Sequence, residues 1–223
     1  MRKKRIKKKL YEIEQEYWLK GLQICGMDEV GRGCLAGPVV TCAVILFENV
    51  YHSNLIDSKK LTQPELQEMY QWLLPRCIYN IAINSSRIID AHNIYQTTAM
   101  TMKSSLLHLF EKAPQLPSLI LIDAMPINLA STPYSTIEIR SFTQGESKSA
   151  SIAAASIIAK VTRDAIVTRM NEAFPSYGLA RHKGYATKSH QACLHTHQAS
   201  IIHRKAYLKK FLTNVEHEQQ SLF

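Results

Sequence analysis

Two adjacent carboxylates, Asp28 and Glu29, close the short apolar run from Leu22 to Met27. Like charges side by side at the edge of a hydrophobic strand repel, and burial raises the cost. A divalent cation resolves that conflict, because hard carboxylate oxygens suit Mg²⁺ or Mn²⁺. Gly31, Gly33 and Gly37 follow, with Arg32 between the first two. Glycine lets backbone approach a ligand closely, and a guanidinium contacts phosphate. The stretch therefore points to metal-assisted chemistry on a phosphate, set against the plainer alternative of a surface turn with solvated charges. A dinucleotide-binding loop needs G-x-G-x-x-G opening a helix. The spacing of Gly31, Gly33 and Gly37 is wrong for it, and Pro38 to Leu46 reads as a buried strand.

Asp123 is the second marker. It ends the continuous apolar run Leu119-Ile120-Leu121-Ile122, and a run apolar on both faces suits a central strand. Without Asp28 and Glu29 it would read as a helix cap or turn residue. Ser58, Lys59 and Lys60 stand just before a predicted helix, where a phosphate can be held, although Ser-Lys-Lys is also common on surfaces. The segment from Arg181 to His190 sets Arg181 and Lys183 around Gly184 and Tyr185. Basic residues beside a glycine and an aromatic ring suit a sugar-phosphate backbone and a stacked sugar or base. A solvated loop is the plainer reading of the same residues.

These residues need elements to position them. Leu10, Ile13, Tyr17 and Trp18 predict a helix over 10–20, followed by strands over 22–27 and 39–47 that pair antiparallel across the glycine loop. Thr62, Pro64 and Glu65 form a capping box for a helix over 63–74. Alternation from Cys77 to Asn84 predicts a strand, and Ile94, Thr98, Met102, Leu106 and Leu109 predict a long helix over 89–112. Strands over 119–124 and 136–142, a turn at 144–148 and a helix over 151–173 follow. The small residues Ala153, Ala154 and Ala155 would let that last helix lie close to the sheet beneath the acids. Residues 190–213 are expected to be helical. The fold class is α/β, with a mixed sheet and carboxylates at strand ends.

At 223 residues, one domain over 10–213 is the expectation, its part from about 186 to 213 being a helical C-terminal extension, with tails over 1–9 and 214–223. No apolar run reaches the length of a membrane span. Five cysteines (Cys25, Cys34, Cys42, Cys77 and Cys193) form no C-x-x-C pair, and no apolar segment follows the basic N-terminus as in a secretory signal. Reduced thiols in a cytoplasmic protein are expected. The formal charge is +9, but residues 2–9 hold seven basic side chains and no acid, which leaves +2 for the remainder. Such an arm binds polyanions by releasing counterions.

Six blocks in order resemble bacterial ribonuclease HII, of the type 2 ribonuclease H family. They are Asp28-Glu29-Val30-Gly31-Arg32-Gly33 continuing to Ala36-Gly37-Pro38-Val39-Val40; Asp57-Ser58-Lys59-Lys60-Leu61; Ile89-Asp90 through Ala99-Met100; the strand ending in Asp123; Ser151 through Asp164; and Lys183-Gly184-Tyr185-Ala186-Thr187-Lys188-Ser189-His190. The resemblance spans about Leu22 to Ile201. It implies the ribonuclease H-like fold, a five-stranded mixed sheet flanked by helices. It implies an endonuclease for the RNA strand of RNA–DNA hybrids and for ribonucleotides embedded in duplex DNA, leaving a 5′-phosphate and a 3′-hydroxyl. Asp28, Glu29, Asp123 and Glu146 would be the catalytic and metal-binding acids for two Mg²⁺ or Mn²⁺ ions, present with substrate. The family usually has aspartate where this chain has Glu146, and glycine where it has Ala124. The sister family HIII often has that glutamate, but also an extra N-terminal domain for which there is no room before residue 22. Asp164 is the rival fourth acid and reads as structural.

By the same resemblance, Gly31, Arg32 and Gly33 would meet the ribonucleotide's 2′-hydroxyl and flanking phosphate. Tyr185 would pack on the next sugar, and Ser58, Lys59, Arg181 and Lys183 would bind phosphate. A catalytically silent nucleic-acid-binding protein with the same fold is the alternative, and retention of all four acids speaks against it. The last five residues, Gln219-Gln220-Ser221-Leu222-Phe223, resemble the short peptide by which bacterial replication and repair enzymes dock on the sliding clamp. The expected state is a monomer without membrane association.

Overall fold

A strand that ends in an acid must still bury both of its faces, and the sheet is built accordingly. The computed structural model describes residues 8–55 and 58–208. Most of the basic arm, Ile56 and Asp57, residues 209–213 and the C-terminal peptide Gln219–Phe223 lie outside the described residues. Five strands, β1 (Ile24–Val30), β2 (Val39–Leu46), β3 (Cys77–Asn84), β4 (Leu119–Asp123) and β5 (Glu138–Phe142), form one mixed sheet in the order β3-β2-β1-β4-β5. β1 and β2 are antiparallel from Gly26↔Val44 to Val30↔Val40. β1 and β4 are parallel from Ile24↔Leu119 to Met27↔Ile122, and β4 and β5 are parallel as well. The helices are α1 (Glu12–Trp18), α2 (Gln63–Leu73), α3 (Ser86–Lys112), α4 (Ala150–Ala173), α5 (Leu179–His182) and α6 (Lys188–His197). No helix among the described residues is long and apolar enough to cross a membrane.

The chain forms two compact units. One comprises the segment up to Val30, Val40–Ala82 and Thr98–Thr162, and the other Gly31–Val39, Ile83–Thr97 and the segment from Arg163 onward. In the first, strand alternation sorts side chains onto two faces. Cys25 and Met27 of β1, Ala43 and Ile45 of β2, and Ile120 and Ile122 of β4 pack with Met102, Leu106 and Leu109 of α3. Ile24 of β1 and Leu119 and Leu121 of β4 pack on the other side with Ile152 of α4 and with Ile13 and Tyr17 near α1. Each buried Leu, Ile or Met among them contributes about 1.5–3 kcal/mol. Helix α4 lies against the backbone of β1 at Gly26, where an added Cβ would sit 2.1 Å from the Ser151 carbonyl carbon. Ala153, Ala154 and Ala155 are fully buried, as their size predicts.

The second unit has its own core of Leu35, Ala36, Val167, Tyr177, Leu179, Leu194 and Ile202. Two fully buried arginines organise its loops. Arg163 donates to the carbonyls of Pro38 (3.0 Å), Lys183 (2.9 Å) and Ala36 (3.2 Å). Arg204 donates to those of Gly37 (3.1 and 2.9 Å) and Arg32 (2.8 Å).

Two helices differ from the periodicity. α3 starts three residues earlier than predicted and is interrupted at Asn93 (φ 61, ψ 165), whose side-chain oxygen accepts from the Gln96 N–H and so caps the second part. The helix expected over 190–213 is broken in the middle: α6 stops at His197, because Gln198 takes φ 60, the chain turns to pair His203 with Ala36, residues 205–208 are helical again, and 209–213 lie outside the described residues.

Candidate active site

The register of two parallel strands brings the first acids together. Met27 lies opposite Ile122, and Asp28 and Asp123 each come one residue later. Both belong to the alternation that carries Ile24, Leu119 and Leu121 toward α4. Gly145 closes the third side. Its N–H donates to Asp123 Oδ1 at 2.9 Å, and an added Cβ would meet Ile152 at 2.7 Å and Asp123 at 3.4–3.5 Å. This turn, a short 3₁₀ segment over Gly145–Ser147, comes near β4 and delivers buried Glu146 beside the strand acids. One ligand oxygen from each of Asp28, Asp123 and Glu146 lies within 4.8 Å of the others. Glu29, the next residue of β1, is half-buried and is not one of these three, and its backbone N–H donates to Asp28 Oδ1 at 2.7 Å.

Ser156 was not singled out from sequence, yet it links the cluster. Its hydroxyl donates to Glu146 Oε2 at 3.1 Å, bonds Ser58 at 2.8 Å and lies beside the Asp28 carboxyl. The available signal was helical spacing on α4, since Ser156 falls four residues, about one turn, after Ile152, which already faces the sheet. Lys59 Nζ pairs with Glu146 Oε1 at 2.9 Å from an exposed position. Burial first, and then the charge of Glu29, holds the Asp28 carboxyl well above the usual carboxylate range, with Asp123 adding to the same effect. Three converging hard oxygens, one of them costly to ionise, fit a divalent cation.

The remaining predicted residues lie in the second unit. Gly31 takes φ +94, and a Cβ there would fall 2.2 Å from Arg163 Nε, so this position requires glycine on both conformational and steric grounds. The Arg32 carbonyl is held by Arg204 and, at 2.9 Å, by the Tyr207 hydroxyl. Gly33 is exposed, with open space around it. Leu35 and Ala36 donate to the Gly184 carbonyl at 2.8 and 3.3 Å, which joins the glycine loop to the turn carrying Tyr185. The Tyr185 ring is 37% exposed and lies 5.6 Å from the Arg163 guanidinium carbon. Its partial burial raises the phenol above its ordinary value. Lys183 Nζ bonds Thr168 and the Ala180 carbonyl, and Arg181 is exposed. Arg163 is committed to the three carbonyls named above, while Asp164 is buried and lies near Tyr185.

The pattern of the ribonuclease HII family matches residues 25–210. A ribonuclease HII of Alkaliphilus metalliredigens is 41% identical over 205 residues, covering 90% of this chain and 98% of that protein. One from Bacillus thuringiensis is 44% identical over 190 residues, covering 84% and 70%. Among solved structures, the ribonuclease HII of Archaeoglobus fulgidus, determined in complex with PCNA, superposes with a TM-score of 0.68 at 24% identity, covering 82% of this chain and 94% of that one. Bst ribonuclease HIII, determined with Mn²⁺, gives 0.63 at 20% identity, covering 86% and 70%. The two structures speak for the fold, and the sequence matches for the family. With the mixed sheet and its acids at strand ends, they establish that the chain belongs to the ribonuclease HII family of type 2 ribonucleases H and is an endoribonuclease.

Proposed function

We propose that the protein hydrolyses the RNA strand of RNA–DNA hybrids and cuts at ribonucleotides embedded in duplex DNA, leaving 5′-phosphate and 3′-hydroxyl ends. The observation that carries this reading is the convergence of Asp28, Asp123 and Glu146 inside a chain of this family. Asp28, Glu29, Asp123 and Glu146 would hold two Mg²⁺ or Mn²⁺ ions. Such ions lower the pKa of an attacking water and neutralise charge gathering on the phosphate oxygens. The chain's own groups prepare the carboxylates for that task. The Gly145 N–H orients Asp123, and the Ser156 hydroxyl orients Glu146 beside Asp28. Lys59, already beside Glu146, supplies a cation for the substrate phosphate, as do Arg181 and Lys183, and Ser58 steadies Ser156. Gly31, Arg32 and Gly33 read the 2′-hydroxyl, the group that distinguishes RNA from DNA. Support for this comes from the fixed backbone of the loop, clamped through Arg163, Arg204 and Tyr207. Tyr185 packs on the adjacent sugar.

We also propose docking of Gln219–Phe223 on a sliding clamp. The peptide's likeness to clamp-binding segments supports it, as does the PCNA complex of the Archaeoglobus relative. A tethered enzyme gains effective concentration on freshly replicated DNA.

The test is cleavage of a duplex carrying one ribonucleotide, beside an all-DNA control, with Mg²⁺ and with Mn²⁺. Metal-dependent cutting at the ribonucleotide alone is expected, with loss of roughly 10²-fold or more in Asp123→Asn and in Glu146→Gln. Binding without cleavage by the wild type would establish the silent-binder alternative, and near-normal turnover in either variant would remove that acid from the site.

A further inference from the structure

Three histidines of the second unit are buried around the backbone of Tyr185, and none of them has a role in the metal site. His190 is fully buried, His203 is 2% exposed and His182 is 8% exposed. Their hydrogen bonds determine where every proton sits. The Ser200 N–H, which can only donate, points at His203 Nδ1 at 3.0 Å. Neutral His203 must therefore carry its proton on Nε2. That nitrogen lies 3.1 Å from His190 Nε2, which must accept, so the His190 proton is on Nδ1. His190 Nδ1 in turn lies 3.0 Å from the Tyr185 carbonyl, which can only accept. The assignment is the same from either end of the chain. His182 is determined independently: the Gly184 N–H points at its Nδ1 at 3.2 Å, and its Nε2 donates to the Tyr177 carbonyl at 2.7 Å. Its ring stacks on His190 at 4.2 Å between centroids.

We propose that His203 is a positioning residue for Tyr185, acting through His190. Its Nε2–H holds His190 in the one tautomer whose Nδ1–H grips the Tyr185 carbonyl. The Tyr185 ring is then presented to the sugar next to the ribonucleotide only while this two-histidine chain is intact. The inference rests on the sugar-contact reading of Tyr185 given above. The segment that carries His203 also bears on the glycine loop. His203 pairs with Ala36, Gly37 donates to the Ile202 carbonyl at 2.9 Å, and Arg204 donates to the Leu35 carbonyl at 2.8 Å. One side chain thus registers the Tyr185 turn against the loop that carries Arg32.

An added proton has no place in this chain. On His203 it would sit at Nδ1, against the Ser200 N–H. On His190 it would sit at Nε2, against the His203 N–H. The groups facing the pair are the His182 imidazole and the Tyr177 ring, 4.6 Å from His203. Lys183 and the buried cation Arg204 lie on the same segments, buried Arg163 of α4 reaches the Lys183 carbonyl, and Asp164 is a carboxylate near Tyr185. Burial, and then the neighbouring imidazoles, push His203 down to about 4, and burial lowers His190 as well. The chain is uncharged at neutral pH.

Imidazole nitrogen NMR on the full-length wild type at neutral pH reads the tautomers directly. Nε2–H on His203 and Nδ1–H on His190 are expected. The reverse tautomer on either ring, or a charged ring, overturns the proposal even if no variant folds. Kinetics then separate positioning from bulk stability. The readout is the ratio of kcat/KM on a single embedded ribonucleotide to kcat/KM on a long hybrid. His203→Phe keeps a ring but removes the donor, and it should lower that ratio about five- to tenfold. His203→Gln places an amide donor at the Nε2 position and should recover most of it. Tyr185→Ala is the control for the underlying reading. If it leaves the ratio unchanged, the sugar contact fails and the proposal fails with it. If Tyr185→Ala lowers the ratio while His203→Phe lowers only the melting temperature, the sugar contact stands and His203 is merely structural.

Discussion

Asp28 shows most directly how function costs stability at the level of a single side chain, and Ala124 shows the same for backbone. Asp28 is a buried carboxylate pushed above its normal range by burial and by Glu29. Ala124 follows the second strand acid and takes φ +54, a left-handed conformation that costs a residue with a Cβ about 1–2 kcal/mol. Its N–H donates to the Phe142 carbonyl at 2.7 Å, so the turn that aims Asp123 is held in place despite the strain. Ala124→Gly should relieve it. After the greater entropy glycine loses on folding, a net gain of about 0.5–1 kcal/mol is expected. A denaturant midpoint that falls in this variant would show that the turn relies on the alanine methyl. The glycine usual in the family was a sequence signal that this turn is left-handed. Helical spacing put Ser156 on the sheet side of α4 with Ile152, but not beside the acids, because its role exists only where three segments meet.

At the scale of elements, the site depends on how closely α4 approaches β1. Gly26 faces the Ser151 backbone with no room for a methyl group, and the helix cannot withdraw without taking Ser156 from the carboxylates. Gly26→Ala should destabilise by about 3 kcal/mol or more. In whatever fraction folds, it should cut turnover more than it weakens hybrid binding. Unchanged stability, read by chemical denaturation, would mean that the contact is slack. Glu14 secures the same helix from the N-terminal side. Its buried carboxylate accepts from the Ser149 hydroxyl at 2.5 Å and the Ser151 N–H at 2.9 Å, at the first turn of α4. Burial raises its carboxyl above the ordinary value against those bonds. Helix periodicity showed that Glu14 is on α1, but its burial at a helix start 135 residues away was not readable from the local pattern.

For the molecule as a whole, the acid cluster links stability to pH and to metal. The Asp28 carboxyl is raised in the folded chain, so the folded state binds the proton more tightly than the unfolded one. Stability without metal should therefore rise as pH falls through the raised value toward the ordinary carboxylate value, and level off below it. His203 acts in the opposite direction. Its lowered value makes the unfolded chain the better proton acceptor, so its contribution is lost as pH falls from about 6.5 to about 4. At neutral pH a divalent cation should do for the acids what a proton does in acid. Saturating Mg²⁺ at about 100 times its Kd should add about 2.7 kcal/mol. Asp28→Asn should remove most of that gain while leaving the metal-free protein no less stable than the wild type. Thermal melts with Mg²⁺ and with chelator decide this, and an undiminished Mg²⁺ shift in Asp28→Asn would take that acid out of the metal site.

By itself, the sequence determined the strands, the order of the helices, the capping box at Thr62 and the family, because periodicity and motif blocks are local and additive along the chain. It also marked Asp28 and Asp123 as strand-end acids. Only the tertiary structure decided that Asp28, Asp123 and Glu146 meet, since that follows from the parallel register of β1 and β4 and the close approach of Gly145. The same holds for Arg163, Arg204 and the histidines. A buried cation that satisfies carbonyls from distant segments, or a ring such as His190 whose tautomer depends on a donor thirteen residues away, has no local pattern. Its partners are chosen by the fold.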